Sequence, residues 1–274
     1  MCPVATENTP CEPAAPFSSL LFAPLRQWLD RLPPYPDSQA LSRLAASHPI
    51  FSASGQRIRF TQPGADGRAY EERIWQTGDV ETRLDNWHDF FNGLVWLTFP
   101  KSKAAINAAH VAAPAAHGSA RGSTRDALTH FDECGIVVLA TRPELLDLLR
   151  SFCWKKLFVD RRSDVIANMR FLVFGHATYQ SLLAPFFGLT AKAVLYLVED
   201  DCLRLSAAAL SAVVDARLAV DLAAGVYSQP RDLQPLPLLG IPGVVAANEG
   251  ADYYDDTRQF RPGRRCAHVA VTIS

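Results

Sequence analysis

Apolar positions along this chain recur at two periods, and the alternation between them outlines the elements. Leu20, Leu21, Leu25, Trp28, Leu29 and Leu32 fall at helical spacing and are closed off by Pro33-Pro34, which predicts a helix over 17–32. Asp37 reads as the N-cap of a second helix through Ala46, with Leu41 and Leu44 on its buried face. Ile58 to Thr61 and Tyr70 to Trp75 alternate in the manner of strands, with Gly64 to Gly67 as the hairpin turn between them. A strongly patterned helix follows over 86–99, ending at Pro100, and another begins near Ser102 and runs to about Ala113. Pro114 to Thr124 is Gly, Ala, Ser and Pro, and reads as a loop. Ala127 to Phe131 and Ile136 to Ala140 read as two strands around a hairpin turn at Asp132 to Gly135. Thr141-Arg-Pro-Glu144 starts a helix bearing Leu145, Leu148 and Leu149 on one face. Arg170 to Phe174 is a buried strand, His176 opens a helix, and Leu205 to Ala224 is the longest helix, ended by Gly225.

No internal repeat and no linker interrupts this series. The expectation is an α+β fold: a single compact domain over 17–274, helix-rich with a small mixed or antiparallel sheet, behind a disordered 1–16. Composition agrees, since 49% hydrophobic and 20% charged residues make an ordinary globular balance. The most apolar stretch, 207–214, is interrupted by Ser211 and followed by Asp215 and Arg217, far short of the ~20 residues a bilayer needs. Residues 1–16 carry Glu7, Glu12 and four prolines and lack the basic start and apolar centre of a secretion signal. With no C-x-x-C pair among the six cysteines, reduced thiols and a cytoplasmic location are expected. A net charge of −1 supplies no global field toward nucleic acid or anionic lipid, so no membrane partner is expected and nucleic acid is not favoured. Locally, 101–125 contains no carboxylate but does contain Lys101, Lys103, Arg121 and Arg125, as a site for an anionic group would.

The densest polar information lies in 86–133. His88 and Asn92 share one face of the first helix, while Trp87, Phe91, Leu94 and Val95 cover the other. Lys103, Asn107 and His110 form a single stripe on the next helix, whose other residues are nearly all Ala and Ile. A plain solvent face would carry Glu and Lys rather than His and Asn. Two helices hinged at Pro100 can therefore turn His88, Asn92, Lys103, Asn107 and His110 toward a common cleft. Arg125, Asp126, Thr129, Asp132 and Glu133 follow directly, where a carboxylate would serve as metal ligand or general base. Gly175-His176, at the mouth of a helix after a buried strand, is a further candidate for ligand binding.

Two resemblances bear on this. The segment Asn92 to Asn107 is similar to the N-L-x-W-x-T…N end of His-Asn-His endonucleases, but His88 stands one helical turn from Asn92 instead of across a hairpin loop, so that metal finger does not form. Asn86-Trp-His-Asp-Phe-Phe-Asn92, Leu94-Val-Trp-Leu97, Phe99-Pro-Lys101, Asn107 and His110 resemble the signature of a proteobacterial family, domain of unknown function 3025. Arg125-Asp-Ala-Leu-Thr129, Phe131-Asp-Glu133, Phe174-Gly-His176 and Leu239-Gly-Ile-Pro-Gly243 are similar to its later blocks. That resemblance implies a bacterial, cytoplasmic protein and carries no activity. The residues themselves point to a metal-assisted hydrolase acting on a phosphate-bearing substrate. In that reading His88, His110 and Asp126 do the chemistry, and His88, His110 and Asp132 hold a divalent metal if one is bound. Asn92, Lys101, Lys103, Asn107, Arg125 and His176 bind a small anionic ligand or substrate. The alternatives are a non-catalytic module for an anionic ligand and a nuclease, for which interleaved stacking aromatics are missing.

Overall fold

A computed structural model describes residues 17–64, 67–112 and 119–263. The first turn is a 3₁₀ helix, Leu20–Leu25, which runs into the short helix α1 (Arg26–Leu29). Pro24 lacks an amide hydrogen, and the helix expected over 17–32 is accordingly split into two shorter pieces. The helix α2 (Ser38–Ser47) starts where the sequence places it, with the Asp37 carboxylate accepting from the Gln39 and Ala40 amides at 2.9 Å each.

The expected hairpin after it is not formed. Strand β1 (Arg59–Thr61) is followed by a helix, α3 (Tyr70–Thr77), and pairs in parallel with β2 (Asp79–Glu81). A parallel pair needs a crossover, and α3 supplies it. Glu71 and Glu72 in the first turn suit the positive end of a helix, and Gly78, at φ 77°, closes it. A Cβ at Gly78 would stand 2.1 Å from the Arg57 carbonyl oxygen, so this stop admits glycine alone.

Helices α4 (Trp87–Thr98) and α5 (Pro100–Ala112) follow as the pattern predicts. Phe90, Phe91, Leu94, Val95 and Trp96 place α4 in the core, and Gly93 lets it approach Leu41 of α2 so closely that a Cβ would meet Leu41 at 2.3 Å. The next element corrects the sequence reading. Residues 127–131 are not a strand and 132–135 are not a hairpin turn, because α6 spans Ser119–Cys134. It also takes in residues 119–124 of the expected loop, while 113–118 lie outside the described residues. Ala127, Leu128 and Phe131 are buried at helical spacing, and the short apolar run mimicked a strand.

Helix α6 passes without a linker into β3 (Gly135–Ala140), every residue of which is buried. Then come α7 (Pro143–Arg150), a single π turn (Lys156–Asp160), α8 (Arg162–Asn168), β4 (Met169–Val173) and α9 (His176–Ser181). Strand β5 (Thr190–Leu197), α10 (Ala207–Ala223) and β6 (Gln234–Pro237) complete the main elements. The four-stranded sheet has the order β4-β3-β5-β6 and is mixed: β3 runs parallel to β5, while the β3–β4 and β5–β6 pairs are antiparallel. Helices make up most of the fold and the strands form only two small sheets, one of two strands and one of four, so the architecture is α+β. One hydrophobic cluster joins Leu21 at the start to Phe260 near the end. Among the described residues no helix is long and apolar enough to cross a membrane. Cys134 and Cys202 are free thiols, the Cys153 thiol donates to the Ser151 carbonyl at 3.7 Å, and Cys2, Cys11 and Cys266 lie outside the described residues.

Candidate metal centre

The site is built at the junction of α6 with β3, and two glycines make that junction possible. Because β3 and β4 are antiparallel, the end of β4 returns to the start of β3, with Ile136 opposite Val173. The amides of Phe174 and Gly175 both donate to the Gly135 carbonyl, at 2.9 and 2.8 Å. A Cβ on Gly175 would lie 2.4 Å from the Glu133 carbonyl oxygen and 2.5 Å from the Gly135 nitrogen, so the two chains approach only because that position is bare. The residue after Gly175 is His176, and the residues just before β3 are Asp132 and Glu133. The backbone thus delivers an imidazole onto two carboxylates.

The second imidazole comes from α4. Asn86 caps that helix by accepting from the Asp89 amide at 3.0 Å, which sets His88 in the first turn. Asp89 in turn is clamped by Arg83, with Nε to Oδ2 at 2.7 Å, Nη2 to Oδ1 at 2.8 Å and the Arg83 amide to Oδ2 at 2.9 Å.

Three side chains then converge. Glu133 Oε2 lies 3.2 Å from His88 Nε2 and 3.4 Å from His176 Nε2, and the two imidazole rings stand edge to face with centroids 4.4 Å apart. Their ligand atoms all lie within 4.8 Å of one another. A tetrahedral zinc ion with bonds of ~2.0–2.1 Å separates its ligand atoms by about 3.3 Å, close to the 3.2 and 3.4 Å between Glu133 Oε2 and the two imidazole nitrogens. Each imidazole has a carboxylate near its other nitrogen. Asp89 Oδ1 is 3.4 Å from His88 Nδ1, and Asp132 Oδ2 is 3.9 Å from His176 Nδ1, beyond hydrogen-bonding distance, so that nitrogen is left without a partner. Both carboxylates are held by cations: Asp89 by Arg83, and Asp132 by Lys103, whose Nζ is 2.5 Å from Oδ1. In metal sites a carboxylate that hydrogen-bonds the far nitrogen of a histidine ligand orients the ring and fixes its tautomer; Asp89 stands so behind His88, whereas Asp132 is too distant to do so for His176.

The charges respond as this geometry requires. The hydrogen bonds of His176 and then of His88 hold the Glu133 carboxyl well below the usual carboxylate range. The bond to Glu133 raises the His88 pKa against the opposing effect of burial. Burial pushes the Asp89 carboxyl up, but the bonds from Arg83 outweigh it and the net shift is down.

The cleft of about 480 Å³ around this triad also takes in Tyr70, Asn92 and His110. Helix α5 is placed by Asp215 of α10, whose carboxylate accepts from the Lys101 and Ser102 amides at 3.0 and 2.8 Å at the first turn of α5. That fixes the expected stripe of Lys103, Asn107 and His110. Burial pulls the His110 pKa below its ordinary value, although Glu71 and Asp132 oppose it, and its Nδ1 is buried without a partner. Tyr70 is 36% exposed, yet its hydroxyl is enclosed and accepts from Asn92 Nδ2 at 2.8 Å. Burial, followed by the charges of Glu71 and Asp132, raises its pKa well above the usual phenol value.

Of the residues singled out in the sequence, His88, Asn92, His110, Asp132 and His176 line one cleft, and Lys103 sits beneath it on Asp132. Asn107 is buried behind it and donates to Glu71. Lys101, Arg125 and Asp126 are exposed and outside the lining, with Arg125 and Asp126 on the helix α6. The ring that meets His88 at a shared atom is His176, with Glu133 as the carboxylate; His110 and Asp132 are not in that triad. Sequence reasoning missed Tyr70, Glu71, Arg83 and Asp89. An acid three residues after a capping Asn was the available signal for Asp89; for Tyr70 and Glu71, the strand assignment hid them.

The chain belongs to the family described as protein of unknown function (DUF3025), whose model matches residues 58–264 and so spans the whole cleft. No curated protein and no solved structure matches it.

Proposed function

We propose that the cleft holds one divalent metal ion on His88, Glu133 and His176 and uses it to hydrolyse a bound substrate. The observation that carries this reading is the single Glu133 oxygen facing two imidazole nitrogens, with a cation-held carboxylate behind each ring. Two imidazoles and a carboxylate suit zinc and leave its fourth position open. Such an ion supplies an acidified water and polarises the oxygen of the bond to be cleaved. His110, kept neutral by burial and with a free Nδ1, accepts the proton of the attacking water. Tyr70, held as a phenol, donates a hydrogen bond to the oxygen that gains charge.

A phosphate-bearing substrate, an anion-binding module and a nuclease draw less support from the same cleft. Arg83 is committed to Asp89 and Lys103 to Asp132, whereas Glu71, Glu81, Asp132 and Glu133 make the lining acidic. Hydrolysis of a carboxylic ester or amide fits that balance better.

The test is zinc titration of chelator-treated protein by calorimetry, followed by assay of ester, amide and phosphate substrates with and without the ion. One site per chain is expected, with the melting temperature rising as zinc at 100 times its Kd adds ~2.7 kcal/mol. Glu133→Gln and His176→Ala should each remove binding while leaving a folded protein. No zinc binding to the wild type, or unchanged binding in both variants, would sink the reading.

A further inference from the structure

Two buried amide oxygens, one lining the cleft and one just behind it, are not used by the metal reading and have no partner. Asn107 is 1% exposed and spends both hydrogens of Nδ2 on Glu71, at 2.9 Å to the carbonyl oxygen and 2.7 Å to Oε2. Those two acceptors fix the orientation of the amide, and its Oδ1 is left buried without a partner. Asn92 is 6% exposed and lines the cleft; its Nδ2 goes to the Tyr70 hydroxyl, and its Oδ1 too is buried without a partner. Leaving such an atom unpaired is costly, so an orphaned acceptor lining a polar hollow marks where a donor is taken.

Charge points the same way. Among the described residues Glu81 is paired with Arg73, Asp89 with Arg83 and Asp132 with Lys103, and Glu133 faces two imidazoles. Glu71 is the lining carboxylate with no ion pair among the described residues, although Asn107 holds one of its oxygens in place. The Tyr70 ring lines the same hollow, and an aromatic wall beside a carboxylate favours a cation.

We propose that this end of the cleft, formed by Glu71, Asn92 and Tyr70 with Asn107 behind, recognises a cationic nitrogen group, an ammonium or guanidinium carried by the substrate. The carboxylate of Glu71 meets its charge, and the Oδ1 of Asn92 accepts from one of its N–H groups. This deepens the hydrolase reading by naming a substrate class, an amide or ester bearing a positively charged arm, and it rests on that reading only in taking the cleft as the substrate site. The metal is not needed for the arm to bind.

The experiment therefore uses the full chain freed of metal by chelation, in about 0.15 M salt to screen diffuse attraction. Arginine amide and butylamine are titrated by calorimetry against butanol and butyrate. The cationic probes should bind saturably at one site, with the alcohol and the carboxylate at least about tenfold weaker. Glu71→Gln should weaken the cations by about tenfold or more, the range expected for a hydrogen bond to a charged group. Asn92→Ala should weaken them as well, and Asn92→Asp, which keeps the acceptor, should restore binding. Melting temperatures of the variants confirm folding, and if one fails to fold, the wild-type preference among the four probes still decides. Absence of cation binding to the wild type, equal binding of butanol or butyrate, or full binding in folded Glu71→Gln would each overturn the proposal. Zinc titration of the same sample separates the two readings: zinc bound without the cations sinks only this inference, and cations bound without zinc sink only the metal centre.

Discussion

His176 and His88 meet the same Glu133 oxygen, but one arrives from inside the fold and the other from its surface. His176 leaves the end of a sheet strand, its approach set by the bare backbone of Gly175, and the carboxylate behind it is paired with a lysine that is 4% exposed. His88 sits in the first turn of α4, and the carboxylate behind it is clamped by Arg83, whose side chain is 59% exposed. Similar chemistry thus stands on two supports, one deep and one wet. Buried ion pairs are costly to break from one side, whereas exposed ones add little to stability. The deep arm should therefore carry the fold, and the wet arm should tune the site.

The largest effect is expected at Lys103. Removing its charge in Lys103→Met strands Asp132, which is 17% exposed, beside His176, and should cost ~3–5 kcal/mol in unfolding free energy. The loss should be largely recovered in the Lys103→Met/Asp132→Asn double variant, because no charge is then left unpaired. Denaturant unfolding of the three proteins measures this. A single variant within ~1 kcal/mol of wild type would show that the two arms do not differ in depth.

Arg83→Gln comes next and probes the wet arm. Stability should fall by less than in Lys103→Met: Asp89 is 10% exposed and loses a partner, but Arg83 reaches solvent, so water can enter in its place, and the Arg83 amide still donates to the carboxylate. Zinc affinity should nevertheless fall by ~10-fold or more, the usual cost of disturbing a carboxylate behind a histidine ligand. Calorimetry on the folded variant gives both numbers, and an unchanged zinc affinity would remove Arg83 and Asp89 from the site's support.

The same contrast explains what the sequence revealed. The wet arm and α5 were legible because helical periodicity and capping are local: Asn86 at the cap, His88 in the first turn, and Lys103, Asn107 and His110 on one stripe all lie where the pattern puts them. The deep arm depends on contacts distant in sequence. Glu133 lies 43 residues before His176, and only the antiparallel return of β4 beside β3 brings them together. Helix α6 was misread because Ala127, Leu128 and Phe131 form too short an apolar run to separate a strand from a helix turn, and the sequence reading named Asp126 and Asp132, whereas the carboxylate that faces the two imidazoles is Glu133. Strand β5, whose parallel pairing with β3 joins segments more than 50 residues apart, was not recognised at all. Among the four-stranded sheet's members, β3 and β4 were foreseen from their apolar runs, but their neighbours were not.

The smallest expected effect is on acid stability, and it again separates the arms. The net shift of the Asp89 carboxyl is down, because the bonds from Arg83 outweigh burial. A carboxylate with a folded pKa below its unfolded one binds fewer protons in the native state, so stability rises with pH across that interval. Its contribution is fully present above the ordinary carboxylate value near 4 and is lost as the pH falls through the lower, folded value. Asp89→Asn removes that titration. The variant should be somewhat less stable than wild type at neutral pH, and the gap should narrow below about pH 4 as the wild-type Asp89 protonates. Chelator-treated protein is required, since a bound ion would impose its own pH dependence by competing with protons for the imidazoles. Urea unfolding of both proteins at a series of pH values from neutral to about 3 reads the gap directly. A gap that stays constant or widens on acidification would mean that Arg83 does not hold Asp89 as a carboxylate, and the wet arm would lose the feature that orients His88.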